Sequence, residues 1–222
     1  MKEVPHLFGV YRSGSTAIYN ICRVIDGQKA KYTTHDYVKG NSPVVATYRD
    51  FRDCLASQWR ASILSETEDS FDEEVDSFMI TPDELYWDER LDFTQVLQDL
   101  NKYKVDQEKG RKVLFLRYEE FFDSEKGDLN FDYIFEKLES FREKEIPHLT
   151  KEYIRKELNF KKMKSHSQKF KDFREVDSTT QIHGKHLYTG QPGTWKTLIP
   201  EECHETLNLY LGEYLRRWNY EF

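Results

Sequence analysis

Apolar positions along this chain fall into two rhythms. Short apolar or β-branched runs at about 6–11, 31–34, 43–48 and 112–117 predict strands. Between and after them, apolar residues return at helical spacing. Phe51, Cys54, Leu55, Trp59 and Ile63 mark a helix over 50–63, and Phe93, Val96, Leu97 and Leu100 one over 92–104. Phe131, Ile134, Phe135, Leu138 and Phe141 predict a third over 130–142. A last helix, about 201–218, repeats Leu207, Leu211, Tyr214, Leu215 and Trp218, with Pro200 just ahead of its first turn. Strands alternating with helices imply right-handed crossovers and an α/β fold, a mainly parallel central sheet flanked by helices on both faces. Ligands of such sheets bind beyond the carboxyl ends of the strands, and the predicted ends carry Arg12, His35, Arg49 and Tyr118.

Composition narrows this picture. The 222 residues fit one domain, 1–222, with no Pro/Gly/Ser-rich linker and no internal repeat. Apolar runs are too short to span a membrane, and no signal peptide is expected before the first strand. Cys22, Cys54 and Cys203 are odd in number and far apart, which predicts buried or half-buried free thiols and a reducing, cytoplasmic setting. The net charge of −7 hides a local asymmetry: eleven carboxylates and no Lys or Arg lie between Ala61 and Glu89. Setting those eleven aside leaves the remainder at +4, compatible with an anion site. The acidic stretch reads as a solvated helical excursion over about 61–90. Residues 165–192, rich in Ser, Thr, Gly, His and Lys, read as a long loop, and loops of that length inside a domain are usually functional or disordered.

Chemistry concentrates behind the first strand. Tyr11-Arg12-Ser13-Gly14-Ser15-Thr16 leads from the run Leu7–Val10 into the amphipathic segment Ala17–Ile25. Such a turn aims successive N–H groups and a helix N-terminus at one point, and Gly14 allows close approach of a phosphate-like group. Gly9 to Thr16 nearly spells the P-loop pattern G-x-x-x-x-G-K-[ST], so the fold is expected to be P-loop-like. Ser15 takes the lysine position, and the cation sits earlier, at Arg12. A second element, Arg49 and Ser57 eight residues apart at a strand end and in the next helix, offers a forked cation and a hydroxyl suited to a phosphate monoester.

Together these residues resemble the sulfotransferases that use 3′-phosphoadenosine 5′-phosphosulfate (PAPS), with likeness from about residue 6 to 196. Arg12, Ser13, Gly14, Ser15 and Thr16, followed by Ala17, resemble the motif [KR]-[ST]-G-[ST]-[ST] that holds the 5′-phosphosulfate. Arg49 and Ser57 resemble the 3′-phosphate motif, and Thr34-His35 the K-T-H element whose histidine is the family's general base. Leu114–Glu120 resembles the L-x-Y-E-D strand end, which implies that Tyr118 lies by the adenine. Phe160-Lys161-Lys162-Met163-Lys164 resembles S-F-x-x-M-K, which implies that Phe160 packs on the adenine with Met163 beside it. Gly190 to Lys196, with Gly193 and Trp195, resembles the late G-x-x-G-x-W-K loop that folds over the cofactor, so 165–196 would cover the nucleotide.

The resemblance implies sulfuryl transfer from PAPS, leaving adenosine 3′,5′-bisphosphate (PAP), to a hydroxyl of a small molecule or saccharide. An amine acceptor is the alternative. Neither a metal nor a nucleic acid is expected to take part. Positioning and charge stabilisation would dominate an in-line displacement. Arg12 would act on the leaving phosphate, and His35, ordinarily near pKa ~6.5, would take the acceptor's proton. His183 and His186 stand next in line as base, and the remaining histidines show no ligand spacing.

Departures bear on this reading. Thr33 stands where the family has a lysine, so a cation is missing there or comes from Lys31 or Lys39; Ala17 replaces a frequent aromatic; Tyr188-Thr189 replaces Arg-Lys, with Lys185 or His186 as candidate substitutes. Pro200 breaks the family's dimer motif, so oligomeric state stays open. Aromatic side chains Phe71, Phe78, Tyr86, Trp87, Phe170 and Phe173 could line an acceptor cleft or sit in the core of added helices. Two other functions fit a similar loop: a P-loop nucleotide kinase, which the missing loop lysine disfavours, and a non-catalytic nucleotide-binding module.

Overall fold

Three parallel strands form the sheet in the order β1 (His6–Gly9), β2 (Val44–Tyr48), β3 (Val113–Arg117). The computed structural model describes residues 4–27, 34–66, 93–171, 174–184, 187 and 189–221. The expected strand at 31–34 falls largely outside them, but Thr34 pairs in parallel with Phe8. Its N–H donates to Leu7 O at 2.9 Å, and its carbonyl accepts from Gly9 N–H at 3.0 Å. Thr34 therefore flanks β1 on the side away from β2, and the strand ends line up as His35, Tyr11–Arg12, Arg49 and Tyr118.

Both faces of the sheet are covered, as alternation along the strands requires. Phe8, Val44, Ala46 and Val113 face one core with α2 (Phe51–Glu66), α3 (Phe93–Glu108) and the final helix. Leu7, Val45 and Leu116 face the other, against α1 (Ser15–Ile25) and α5 (Phe131–Arg142). A single turn, α4 (Tyr118–Phe121), leads from β3 to the small antiparallel pair β4 (Phe122–Asp123) and β5 (Asp128–Leu129).

Two helices follow that the apolar rhythm does not announce, α6 (His148–Glu157) and α7 (Phe160–Ser167). In α6 only Ile154 is buried, so it leaves almost no hydrophobic period. Trp195–Leu198 forms α8; a 3-10 turn over Glu201–Cys203, begun by Pro200, then precedes α9 (His204–Arg217). Cys22, Cys54 and Cys203 are buried free thiols. No helix among the described residues is long and apolar enough to cross a membrane. The acidic stretch beyond Glu66 lies outside the described residues, as do Phe71, Phe78, Tyr86, Trp87 and Phe173.

Candidate active site

The first loop is shaped by close approach. A Cβ on Gly9 would stand 2.4 Å from Ser15 Cβ, so the strand end and the start of α1 touch only because Gly9 has no side chain. Between them, Arg12 and Gly14 adopt left-handed conformations, φ 65° and 77°. For a non-glycine residue this costs on the order of 1–3 kcal/mol and must be held by the surroundings. Ser13 does that holding. It is fully buried, its Oγ donates to Val10 O at 2.7 Å, and the same Oγ lies 2.7 Å from Thr47 Oγ1. Ser13 is thus committed to the turn and is not turned to the cleft. Gly14, Ser15, Thr16 and Ala17 do line it. The N-cap Gly14 offers no side-chain acceptor, so the first-turn N–H groups of α1 and its dipole face that space.

Three guanidiniums converge on this cleft of about 320 Å³. Arg12 Nε donates to Ser57 Oγ at 3.0 Å. Its pKa is pulled down to about 9, first by removal from water and then by the like charges of Arg60 and Arg49. Guanidiniums stay protonated at neutral pH, so this repulsion favours an anion among them. Arg60 was not singled out from the sequence. It is buried and lines the cleft one turn beyond Ser57 on α2. Arg49 lies over the Tyr118 ring at 4.5 Å and pairs with Asp53 at 3.1 Å. Burial alone would lower the Arg49 pKa, but Asp53 and its other neighbours hold it above the usual value. Its Nη2 donates to Gln191 O at 2.6 Å, while its Nε is buried without a partner among the described residues.

His35 stands at the opposite end of the row. Its Nδ1 lies 2.6 Å from Gly9 O, and since a carbonyl only accepts, Nδ1 carries the proton. The lone pair of the neutral ring is then on Nε2. The imidazole lies 4.2 Å from the Tyr11 ring, and burial lowers its pKa against the opposing effects of the Gly9 bond and Asp36.

The late loop is tied to α2 by a residue the sequence reading passed over. Asp53 accepts from Gly193 N–H at 2.7 Å and from Trp195 N–H at 2.9 Å while paired with Arg49. Its only sequence signal is its place four residues after Arg49. Tyr118 OH donates to Gly190 O at 2.7 Å, and a Cβ on Gly190 would lie 2.8 Å from both Phe122 and Phe160.

Of the expected site residues, Arg12, His35, Arg49, Ser57 and Tyr118 line one cleft with Phe160, Met163 and Gly190. Gly193, Trp195 and Lys196 do not. Trp195 is buried in the core, with the Arg52 guanidinium 4.4 Å from its ring, and Lys196 is exposed. Gly193 serves through the N–H that Asp53 holds. Lys39 is exposed and outside the cleft, while Lys31, Lys185 and His186 fall outside the described residues. Phe170 packs against His166 rather than lining the cleft.

Within the expected loop 165–192, a turn is pinned to α1. Tyr19 OH donates to Thr179 O at 3.1 Å and Asn20 Nδ2 to Thr180 O at 2.8 Å. Val176 bridges His183, and Gln181, Ile182 and His183 reach the cleft on the side of Ala17. No Asp or Glu lines the cleft among the described residues, and none of them forms a cluster of three or more His, Cys, Asp or Glu fit for a metal ion.

A parallel sheet with an anion-cradling first loop and a row of cations beyond its strand ends defines an α/β protein of P-loop-like form. The chain belongs to the sulfotransferase domain family, which matches residues 29–219. Its fold is that of mouse sulfotransferase SULT7A1, solved in complex with PAP, at TM-score 0.61 and 12% identity over 97% of this chain and 84% of that one. Retinol dehydratase, solved with androsterone and the inactive cofactor PAP, is similar at TM-score 0.61 and 11% identity, over 95% and 80% of the two chains. No curated protein sequence gives a significant match.

Proposed function

We propose that this protein is a PAPS-dependent sulfotransferase acting on a hydroxyl of a small-molecule or saccharide acceptor, with its chemistry in a single domain. The observation that carries this reading is the ordered row of His35, Arg12 and Arg49 across the strand ends, with the α1 N-terminus among them. The cleft fits the donor nucleotide. Arg12, half-buried between the like charges of buried Arg49 and Arg60, calls for an anion of more than one charge, and Arg49 Nε is an unpartnered buried donor among the described residues. Tyr118, Phe160, Met163 and Ile182 offer apolar surface for a base. PAPS supplies the sulfuryl group.

The chain's own residues divide the remaining work. Arg49 and Ser57 would hold the 3′-phosphate, while Arg12 and the first-turn N–H groups of α1 would stabilise charge on the 5′-phosphate. His35, fixed by Gly9 with its lone pair on Nε2, would receive the acceptor's proton. Asp53 is a positioning residue that keeps Arg49 and the late loop in register. The buried thiols support a reducing, cytoplasmic setting.

Titration calorimetry tests the reading. The protein should bind PAP far better than adenosine 5′-monophosphate, and Arg49→Ala should weaken PAP by about 1.5–3 kcal/mol, the value of a charge-assisted contact. Equal affinity for the two nucleotides would sink it.

A further inference from the structure

The cleft holds more positive charge than the two nucleotide phosphates engage in the division of roles above. Arg49 stands by Tyr118 and the late loop, at the nucleotide end. Arg12 lies at the centre, held by Ser57. Arg60 is the third cation, 3% exposed and on the wall of the same cleft. Along α2, Asp53 holds the late loop, and the cleft-lining Ser57, which meets Arg12, and Arg60 follow it in order. At about 1.5 Å per residue, Arg60 lies roughly 10 Å along the helix axis from Asp53. Its charge acts on Arg12 more strongly than that of Arg49 does. Arg60 therefore lies further along α2 from the late loop than Ser57, on the wall of the cleft that His35 also lines.

We propose that Arg60 is a catalytic residue that contacts the oxygens of the sulfuryl group in flight, separating the donor-nucleotide site from the acceptor site. This rests on the sulfotransferase reading. In the step it serves, the bond between sulfur and the 5′-phosphate oxygen breaks with its electron pair left on the phosphate. A bond forms between sulfur and the acceptor oxygen, and the acceptor proton passes to His35 Nε2. The non-bridging sulfuryl oxygens keep negative charge throughout, and a water-poor wall makes a fixed guanidinium effective there. A planar fork suits two oxygens of one group, which a point charge matches less well.

The two nucleotides differ by the sulfuryl group itself, so binding alone can read the assignment. Calorimetry with PAPS and with PAP is run on the wild-type chain, Arg60→Met and Arg60→Lys, each checked for an unchanged melting transition. Arg60→Met should weaken PAPS roughly tenfold or more, the size of one charge-assisted contact, while PAP changes less than about twofold. Arg60→Lys, keeping charge without the fork, should fall between, and it carries the test if the methionine variant does not fold. A proportional loss for both nucleotides, or no loss for either, overturns the role of Arg60. Failure of the wild-type chain to bind PAP overturns the sulfotransferase reading instead, so the two failures are distinct.

Discussion

The two ends of the cleft are built to different standards. At the nucleotide end nearly every group is cross-fastened: Arg49 to Asp53, Asp53 to the N–H groups of Gly193 and Trp195, Arg49 to Gln191 O, and Tyr118 to Gly190 O. At the reacting end His35 has one short bond to Gly9 and a ring contact with Tyr11. A ligand of fixed shape justifies a rigid, buried socket. An acceptor brings its own shape, and the residue that meets it needs only its orientation fixed. The difference teaches that disturbing one end should change structure, while disturbing the other should change chemistry.

The sharpest break of that contrast is His35→Ala. It should lower turnover by about 10²–10⁴ while PAP affinity and the melting temperature stay close to wild type. Loss of PAP binding in this variant would show that the two ends are not separable. The pH profile sharpens the point. Burial lowers the His35 pKa, and a histidine in the proposed role of base acts as the neutral ring, so the rate should fall with acid only below the ordinary value of 6.5. That acid limb should vanish in His35→Ala.

Asp53→Ala should show the opposite signature. It leaves Arg49 buried without its counter-charge and frees two loop N–H groups, for a loss of about 3–5 kcal/mol in urea unfolding. Asp53→Asn, which keeps an acceptor for those N–H groups, should lose less. A stability equal to wild type in Asp53→Ala would mean that the late loop is held by other means.

Gly190→Ala should have the smallest effect. Its φ of 74° and the 2.8 Å approach of Phe122 and Phe160 predict a loss of about 1–3 kcal/mol, with weaker nucleotide binding and little change in His35-dependent pH behaviour.

What the sequence reveals follows the same division between local and distant causes. The three strands of the main sheet are legible because each is a short apolar run whose alternate residues enter separate cores. The first loop is legible because a tight strand-to-helix turn needs small residues in a fixed order at one place. The part Ser13 plays in the turn is hidden for a physical reason: a hydroxyl that ties a turn and one that binds a ligand occupy the same position in the pattern. Asp53 looks like any acid early in a helix, since its loop partners lie 140 and 142 positions away. The turn that brings Ile182 beside Ala17 is equally hidden, because Tyr19 and Asn20, which anchor it, are each 160 positions from their acceptors. Trp195 reads as a cofactor contact but packs in the core, with Arg52 across its ring and His204 at its edge. Arg60 carries a weak local signal, three residues beyond Ser57 on the same helical face.

The Asp53 tether also has a kinetic side. A loop fixed by the protein's own carboxylate owes its order to contacts within the chain. At about 1–2 kcal/mol per backbone residue, that ordering falls on folding and not on association. Nucleotide capture then needs no slow search by the loop, and departure is timed by the rupture of contacts to the nucleotide instead of by local unfolding. The residence time of spent nucleotide should therefore follow the number of its phosphate contacts, and loosening the tether should slow entry more than it speeds exit.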